Sequence, residues 1–310
     1  ILASDLIQNH VRHFYLFVLP DFARGPDMPP FVPRYNANYR LSMELDTRLF
    51  SHYRESLDIS RKAHEMVTIF GGKVPHTHGI VAGGATVAPN ADNLRFFWSM
   101  LEDIKRFVET KMLLDCYALA DAYSDYYELG KATGDMISYG MFPKPGGGYF
   151  MRGGAVLDGR VEDVDVSEIE EHVRFSRFLS ADGPQHPQTG TTEPDPEKEE
   201  AYSWVKAPRY KGRAVETGPL ASAWVNNIYT RGTSAMDRIV ARVLHLGHTL
   251  DLMREWIRML EPGAPIFVPF EVPREASGVG LVDVMRGGLG HWVRIEGGRI
   301  RSYQIVTPSA

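Results

Sequence analysis

The chain has 310 residues, 44% hydrophobic and 24% charged, which is ordinary globular usage and excludes global disorder. Its 34 Lys and Arg against 39 Asp and Glu leave a net charge of −5, without the dominant basic footprint that a broad nucleic-acid surface needs. The longest nearly pure apolar run, Phe14 to Leu19, is far shorter than the ~20 residues that span a bilayer, so no direct membrane span is expected.

Residues 1–20 read as a helix, with Leu2, Leu6, Ile7, Phe14 and Phe17 at helical spacing. Residues 21–35 carry four prolines and read as an irregular connection. Helical periodicity resumes from Leu41 to Phe70, and the Gly- and Pro-containing stretch 71–87 breaks it. Residues 88–129 read as one or two long helices, with Asn90 or Asp92 as the cap. Residues 130–148 read as a loop with a short helix, and 149–161 as a hairpin turning at Gly153-Gly154 or Asp158-Gly159. Residues 166–178 are expected to be helical, 181–200 an exposed acidic and Pro-rich loop, and 218–260 mainly helical. From Pro265 the pattern turns β-like, ending in a hairpin around Gly297-Gly298. No internal repeat is visible. The sum is a single, mainly α domain over 1–310, multihelical with small peripheral β elements.

The single cysteine, Cys116, lies in an apolar helical run and reads as a buried, inert thiol; one Cys cannot form an intrachain disulfide or a multi-thiolate metal site. His10 and His13 share a helix face, and packing is the expected role rather than metal ligation; His245 and His248 read as ordinary helical residues. His76 and His78 sit in GGKVPHTHG, a loop where function is as plausible as structure. That loop lacks the P-loop spacing, and RGGLGHW (286–292) lacks the dinucleotide spacing. There is no Gly-x-Ser-x-Gly and no His-Glu-x-x-His. The helical pattern is already running at Ile1, and the last strand stops abruptly at Ala310, so the expectation is an internal fragment of a longer protein.

Five segments together resemble the large subunit of nickel-iron hydrogenases: NHVRHFYLF (9–17), SRKAHEMVTIFGGKVPHTHGIVAGGATV (60–87), WVKAPRYKGRAVETGPLA (204–221), MRGGLGHWVRIEGGRI (285–300) and SYQIVTPSA (302–310). They occur in the family's order and cover essentially the whole chain. The resemblance implies a large multihelical fold and reversible oxidation of H2 to protons and electrons. It implies a Ni-Fe centre whose iron carries cyanide and carbon monoxide. The family's nickel is held by two Cys-x-x-Cys motifs, neither of which these residues contain, so the isolated chain is expected to be inactive.

What the resemblance assigns to this chain surrounds the metals. Arg286 matches the arginine over the open face between them, able to hold a cyanide with its fixed fork of donors. Ser309 matches a hydroxyl donating to the other cyanide, supported by the Thr307 N–H. Ile305 matches a residue whose main-chain carbonyl binds Mg, an ion that favours oxygen-rich octahedral coordination. Lys211 and Glu216 are expected in the hydrogen-bond network around that ion. His76 matches an interface histidine facing an iron–sulfur small subunit, the implied partner. A membrane-associated or periplasmic enzyme carried by that partner is implied, with the cytoplasm also compatible.

Two positions depart from the family pattern. Asn9 stands where Asp is frequent, and lacks the charge that would pair with Arg286. Met285 stands where Pro is frequent, and a contact through its backbone would survive. The competing reading is a metal-free relative acting as a structural or electron-transfer interaction subunit, as in the respiratory quinone reductase. The retained Arg286 and Ser309 favour the enzyme.

Overall fold

The structure is a computed structural model that describes residues 1–34, 38–179 and 183–310. The chain forms two compact units, each discontinuous in sequence: Ile1–Lys131 with Ile228–Phe270, and Ala132–Asn227 with Glu271–Ala310.

The first unit is helical. Leu2–Arg12 passes through a π-helical segment, His13–Val18, into Leu19–Phe22. The 29-residue helix Met43–Gly71 starts at Ser42, whose Oγ accepts from the Leu45 N–H at 3.2 Å, satisfying one of the donors a helix start leaves open. Asn90 caps Ala91–Phe107 in the same way, accepting from the Asn93 N–H at 2.9 Å. That helix continues through a π segment, Val108–Met112, into Leu113–Ala122. Ser234 and Asp237 form a reciprocal capping box on Ala235–Met259. Leu6, Ile7, Leu49, Met66, Leu101 and Ile104 are fully buried, so the apolar spacing of the sequence does become the core. The region 218–260 is not one helix: Pro219–Val225, in the second unit, and Ala235–Met259 are separate elements.

The second unit is mostly sheet. Its longest part is an antiparallel three-stranded sheet of Ala276–Val284, Gly287–Glu296 and Arg299–Val306. The outer two strands join the middle one through two-residue turns at Met285-Arg286 and Gly297-Gly298. Trp292 pairs with Val279 on one side and Gln304 on the other, and it is buried with Ile137, Ala155, Ile169, Tyr210 and Val306 in one apolar cluster. A second sheet runs Glu216–Thr217, Met136–Ser138, Gly154–Leu157 and Arg160–Glu162 in spatial order. The Asp158-Gly159 pair makes its hairpin turn, with φ of +50° and +75°, as a tight turn matching strand twist requires.

Two expectations fail here. Residues 130–148 hold the strands Met136–Ser138 and Met141–Pro143 rather than a short helix. Residues 166–178 hold a single 3₁₀ turn, Val166–Glu168, and then the strand Ile169–His172, paired with Ala207–Tyr210. The strand wins because Ile169 and Glu171 are buried while Glu170 and His172 are not, a period of two rather than 3.6. Of the loop expected at 181–200, Ala181 and Asp182 lie outside the described residues; 183–200 carries only isolated bridges and is mostly exposed or half-buried. The mainly α expectation therefore describes the first unit, and the chain as a whole mixes helix and sheet. Among the described residues, no helix is long and apolar enough to cross a membrane.

Candidate functional site

The second unit carries most of the residues that the sequence pointed to, and five of them, Met285, Arg286, Ile305, Thr307 and Ser309, lie on its three-stranded sheet and the ends of its strands. Met285 and Arg286 are the two residues at the tip of the first hairpin. Arg286 is exposed, and among the described residues its guanidinium makes no hydrogen bond or ion pair. Five donors in a rigid plane are thus exposed with no acceptor among the described residues.

The base of that hairpin is fixed from two directions. Gly287 has φ +138°, and a Cβ there would lie 2.7 Å from the Thr217 side chain and 2.9 Å from the Gly218 nitrogen. The Gly288 N–H donates to Thr217 Oγ1 at 2.7 Å. A Cβ on Gly288 would come within 2.9 Å of the Tyr139 ring. The two glycines let backbone and ring approach where no other residue fits.

On the opposite strand Asp283 is fully buried. Its carboxylate accepts from Ser138 Oγ and from the Tyr139 N–H, the latter at 2.8 Å, and its own N–H donates to the Gly140 carbonyl at 2.7 Å. Burial pushes its pKa up to about 6, against the opposing pull of the hydrogen bonds from Ser138, Tyr139 and Gly140. Tyr149 Oη donates to the Leu281 carbonyl at 2.6 Å, adding a further tie along the same strand.

Beside Thr217 and Gly288 lies a cleft of about 250 Å³, walled by Ile137, Tyr139, Tyr210 and Val306 and rimmed by Thr307. Thr307 begins the terminal turn, closed by the Ala310 N–H on the Thr307 carbonyl at 3.3 Å. Ser309 is exposed in that turn. Ile305 precedes it on the outer strand, opposite His291, whose Nδ1 is 2.6 Å from the Tyr303 hydroxyl. The structure therefore gathers Met285, Arg286, Ile305, Thr307 and Ser309 onto one sheet and its ends.

The remaining sequence candidates are placed differently. Lys211, in a turn with φ +50°, pairs with Glu162 on the surface. Glu216 is half-buried in the strand beside Met136. His76 belongs to the first unit, exposed in the loop after Met43–Gly71 with φ +60°. That loop is closed by the N–H groups of His78 and Gly79, which both reach the Gly71 carbonyl. Asn9, in the same unit, has a buried Oδ1 with no hydrogen-bond partner among the described residues. His10 and His245 face each other there with ring centroids 5.4 Å apart, and their ring nitrogens have no partner among the described residues. Burial holds His10 well below the usual histidine range and His245 down at about 3, so both are neutral at pH 7.

Cys116 is buried, and burial together with the Asp115 carboxylate pushes its thiol up to about 12, far from a ready thiolate. Among the described residues, no group of three or more His, Cys, Asp or Glu could hold a metal ion. These residues do not fit a nickel ligand set; the hairpin and terminal turn offer hydrogen-bond donors instead. Sequence reasoning missed Asp283, Thr217 and Tyr139. The only signal for Asp283 was an acidic residue between Val282 and Val284 in a β pattern.

A family profile described as nickel-dependent hydrogenase matches residues 17–232 and 224–310. The chain is 34% identical to the periplasmic [NiFeSe] hydrogenase large subunit of Desulfomicrobium baculatum, covering 99% of this chain and 67% of that one. It is 28% identical to the uptake hydrogenase large subunit of Rhodobacter capsulatus, covering 88% and 58%. The fold superimposes on a reduced, active form of the Ni-Fe-Se hydrogenase from Desulfomicrobium baculatum with a TM-score of 0.93 at 34% identity, over 99% of this chain and 70% of that one. The reduced Ni-Fe-Se hydrogenase from D. vulgaris Hildenborough gives 0.94 at 33% identity, with the same coverage. The chain thus spans between 58% and 67% of the length of these two curated relatives.

Proposed function

This chain belongs to the nickel-dependent hydrogenase family, and we propose that it acts as the catalytic large subunit of a nickel-iron hydrogenase, oxidising H2 reversibly to protons and electrons. The observation that carries the reading is Arg286: an exposed guanidinium with no partner among the described residues, on a hairpin tip fixed by Thr217, Tyr139 and Asp283. A surface arginine with no other duty would not need two glycines packed that closely beneath it.

A nickel-iron centre carrying cyanide and carbon monoxide would supply the polarisation of H2 and accept its electrons. This chain's own residues would work at its edge. Arg286 would direct its fork of N–H donors at one cyanide and set a fixed positive charge beside it. Met285 would contribute only backbone. Ser309 would donate its hydroxyl to the second cyanide, with the Thr307 N–H beside it. The Ile305 carbonyl would be one oxygen ligand of an Mg ion, with Lys211 and Glu216 in its polar surroundings. His76 would face an iron–sulfur small subunit that takes the electrons.

The second reading is a metal-free relative, and the observation favouring it is the single, deeply buried Cys116. Heterolytic cleavage separates the two: an enzyme that splits H2 in D2O must release HD, because the proton it removes is replaced by a deuteron from solvent. The protein as isolated from its source, with its partner, is expected to give HD and to contain stoichiometric nickel. No HD, in a preparation free of nickel, would select the metal-free reading.

A further inference from the structure

We propose that Asp283 is a positioning residue for Arg286, holding the hairpin so that the guanidinium keeps one place. The proposal rests on the reading of Arg286 given above. Asp283 lies three residues before Arg286, at the root of the two-residue turn: the pairing runs Asp283 with Gly288 and Val284 with Gly287. Its carboxylate takes the Ser138 hydroxyl and the Tyr139 N–H, and its own N–H takes the Gly140 carbonyl.

The loop it grips is the one that also contacts the opposite strand, because the Tyr139 ring lies against Gly288. One three-residue segment, Ser138–Gly140, therefore holds both strands at the base of the turn. The Ser138 tie is buried and the Tyr139 and Gly140 ties are 2.8 and 2.7 Å long, so the tip has little freedom left to lose. A carboxylate is the acceptor this place calls for. Donors converge on both oxygens, and an amide would set an N–H₂ against one of them. No salt-bridge cation faces Asp283 among the described residues, which separates it from an ion pair that merely staples two surfaces.

The test uses the full-length enzyme with its partner and compares Asp283→Asn, Ser138→Ala and Arg286→Lys, singly and combined. Hydrogen exchange is expected to rise at 138–140 and 283–288 in Asp283→Asn, with metal content unchanged. Turnover is expected to fall about 10- to 100-fold, the range for a reacting group displaced by about an ångström. In the Arg286→Lys background the same change is expected to cost less than about twofold, because residues acting as a unit are non-additive. Equal factors in both backgrounds, or wild-type turnover in Asp283→Asn, would overturn the proposal. If Asp283→Asn does not fold, Ser138→Ala decides by the same cycle. Should Arg286→Lys alone keep wild-type turnover, the reading of Arg286 fails, whatever Asp283 does.

Discussion

Gly287→Ala should loosen the Arg286 hairpin without disturbing the helical unit. The added methyl carbon would sit 2.7 Å from the Thr217 side chain and 2.9 Å from the Gly218 nitrogen, at φ +138°. Thr217 could rotate, but its hydroxyl is already used by the Gly288 N–H at 2.7 Å, and the Gly218 nitrogen is backbone. Overpacking of this kind costs about 1–3 kcal/mol, and a non-glycine residue in such a backbone conformation about 1–3 kcal/mol more. The lower sum, about 2 kcal/mol, corresponds to roughly 30-fold faster exchange of amides that open locally. Hydrogen exchange followed by mass spectrometry, on peptides covering 283–290, reads this directly. Gly297→Ala is the control: its φ is +60°, and an added Cβ would meet nothing within 4 Å. It should cost only about 1 kcal/mol. Protection of 283–290 unchanged within about threefold in Gly287→Ala, or equal losses in both variants, would refute the packing argument.

The neutral, buried His245 makes the helical unit sensitive to acid. The unfolded chain takes a proton below about pH 6.5 while the folded chain holds out to about 3, so stability falls as pH drops through that window. Between pH 7 and pH 5 this one group should account for about 2 kcal/mol, and urea titrations of His245→Leu should lack that share; an identical pH slope in wild type and variant would contradict it. Cys116, with its thiol up at about 12, should resist maleimide at pH 8 in the native chain and react fully in denaturant; rapid native labelling would show the site to be open.

How much of this was legible in the sequence depended on the range of the forces. The helices Met43–Gly71, Ala91–Phe107 and Ala235–Met259 announce themselves through local spacing, and Asn90 acts as the expected cap. The strands Met136–Ser138 and Ile169–His172 do not. They are short, and their partners lie in Gly154–Leu157, Glu216–Thr217 and Ala207–Tyr210, tens of residues away. A three- or four-residue segment carries too little periodicity to reveal a non-local pairing. The site was legible only in part for the same reason. Arg286 stands out through the residues around it, but of the two turns in its sheet only the hairpin at Gly297-Gly298 was legible, and the turn that carries Arg286 emerges from the pairing of Val284 with Gly287. Thr217 and Tyr139 become part of the site only because folding brings them under Gly287 and Gly288. The bond between Asp283 and Ser138 joins positions 145 residues apart. Lys211, expected in the network around an Mg ion, has Glu162 as its partner in the structure.

The most direct test of the account is the H2-oxidation turnover of Arg286→Lys in the full-length enzyme, measured beside its nickel and iron content. Lysine keeps the charge but replaces a planar fork with a single mobile ammonium. The account predicts near-normal metal content and a turnover lower by about 100-fold, the scale for losing a preorganised donor at a reacting centre. Wild-type-like turnover with wild-type metal content would contradict it.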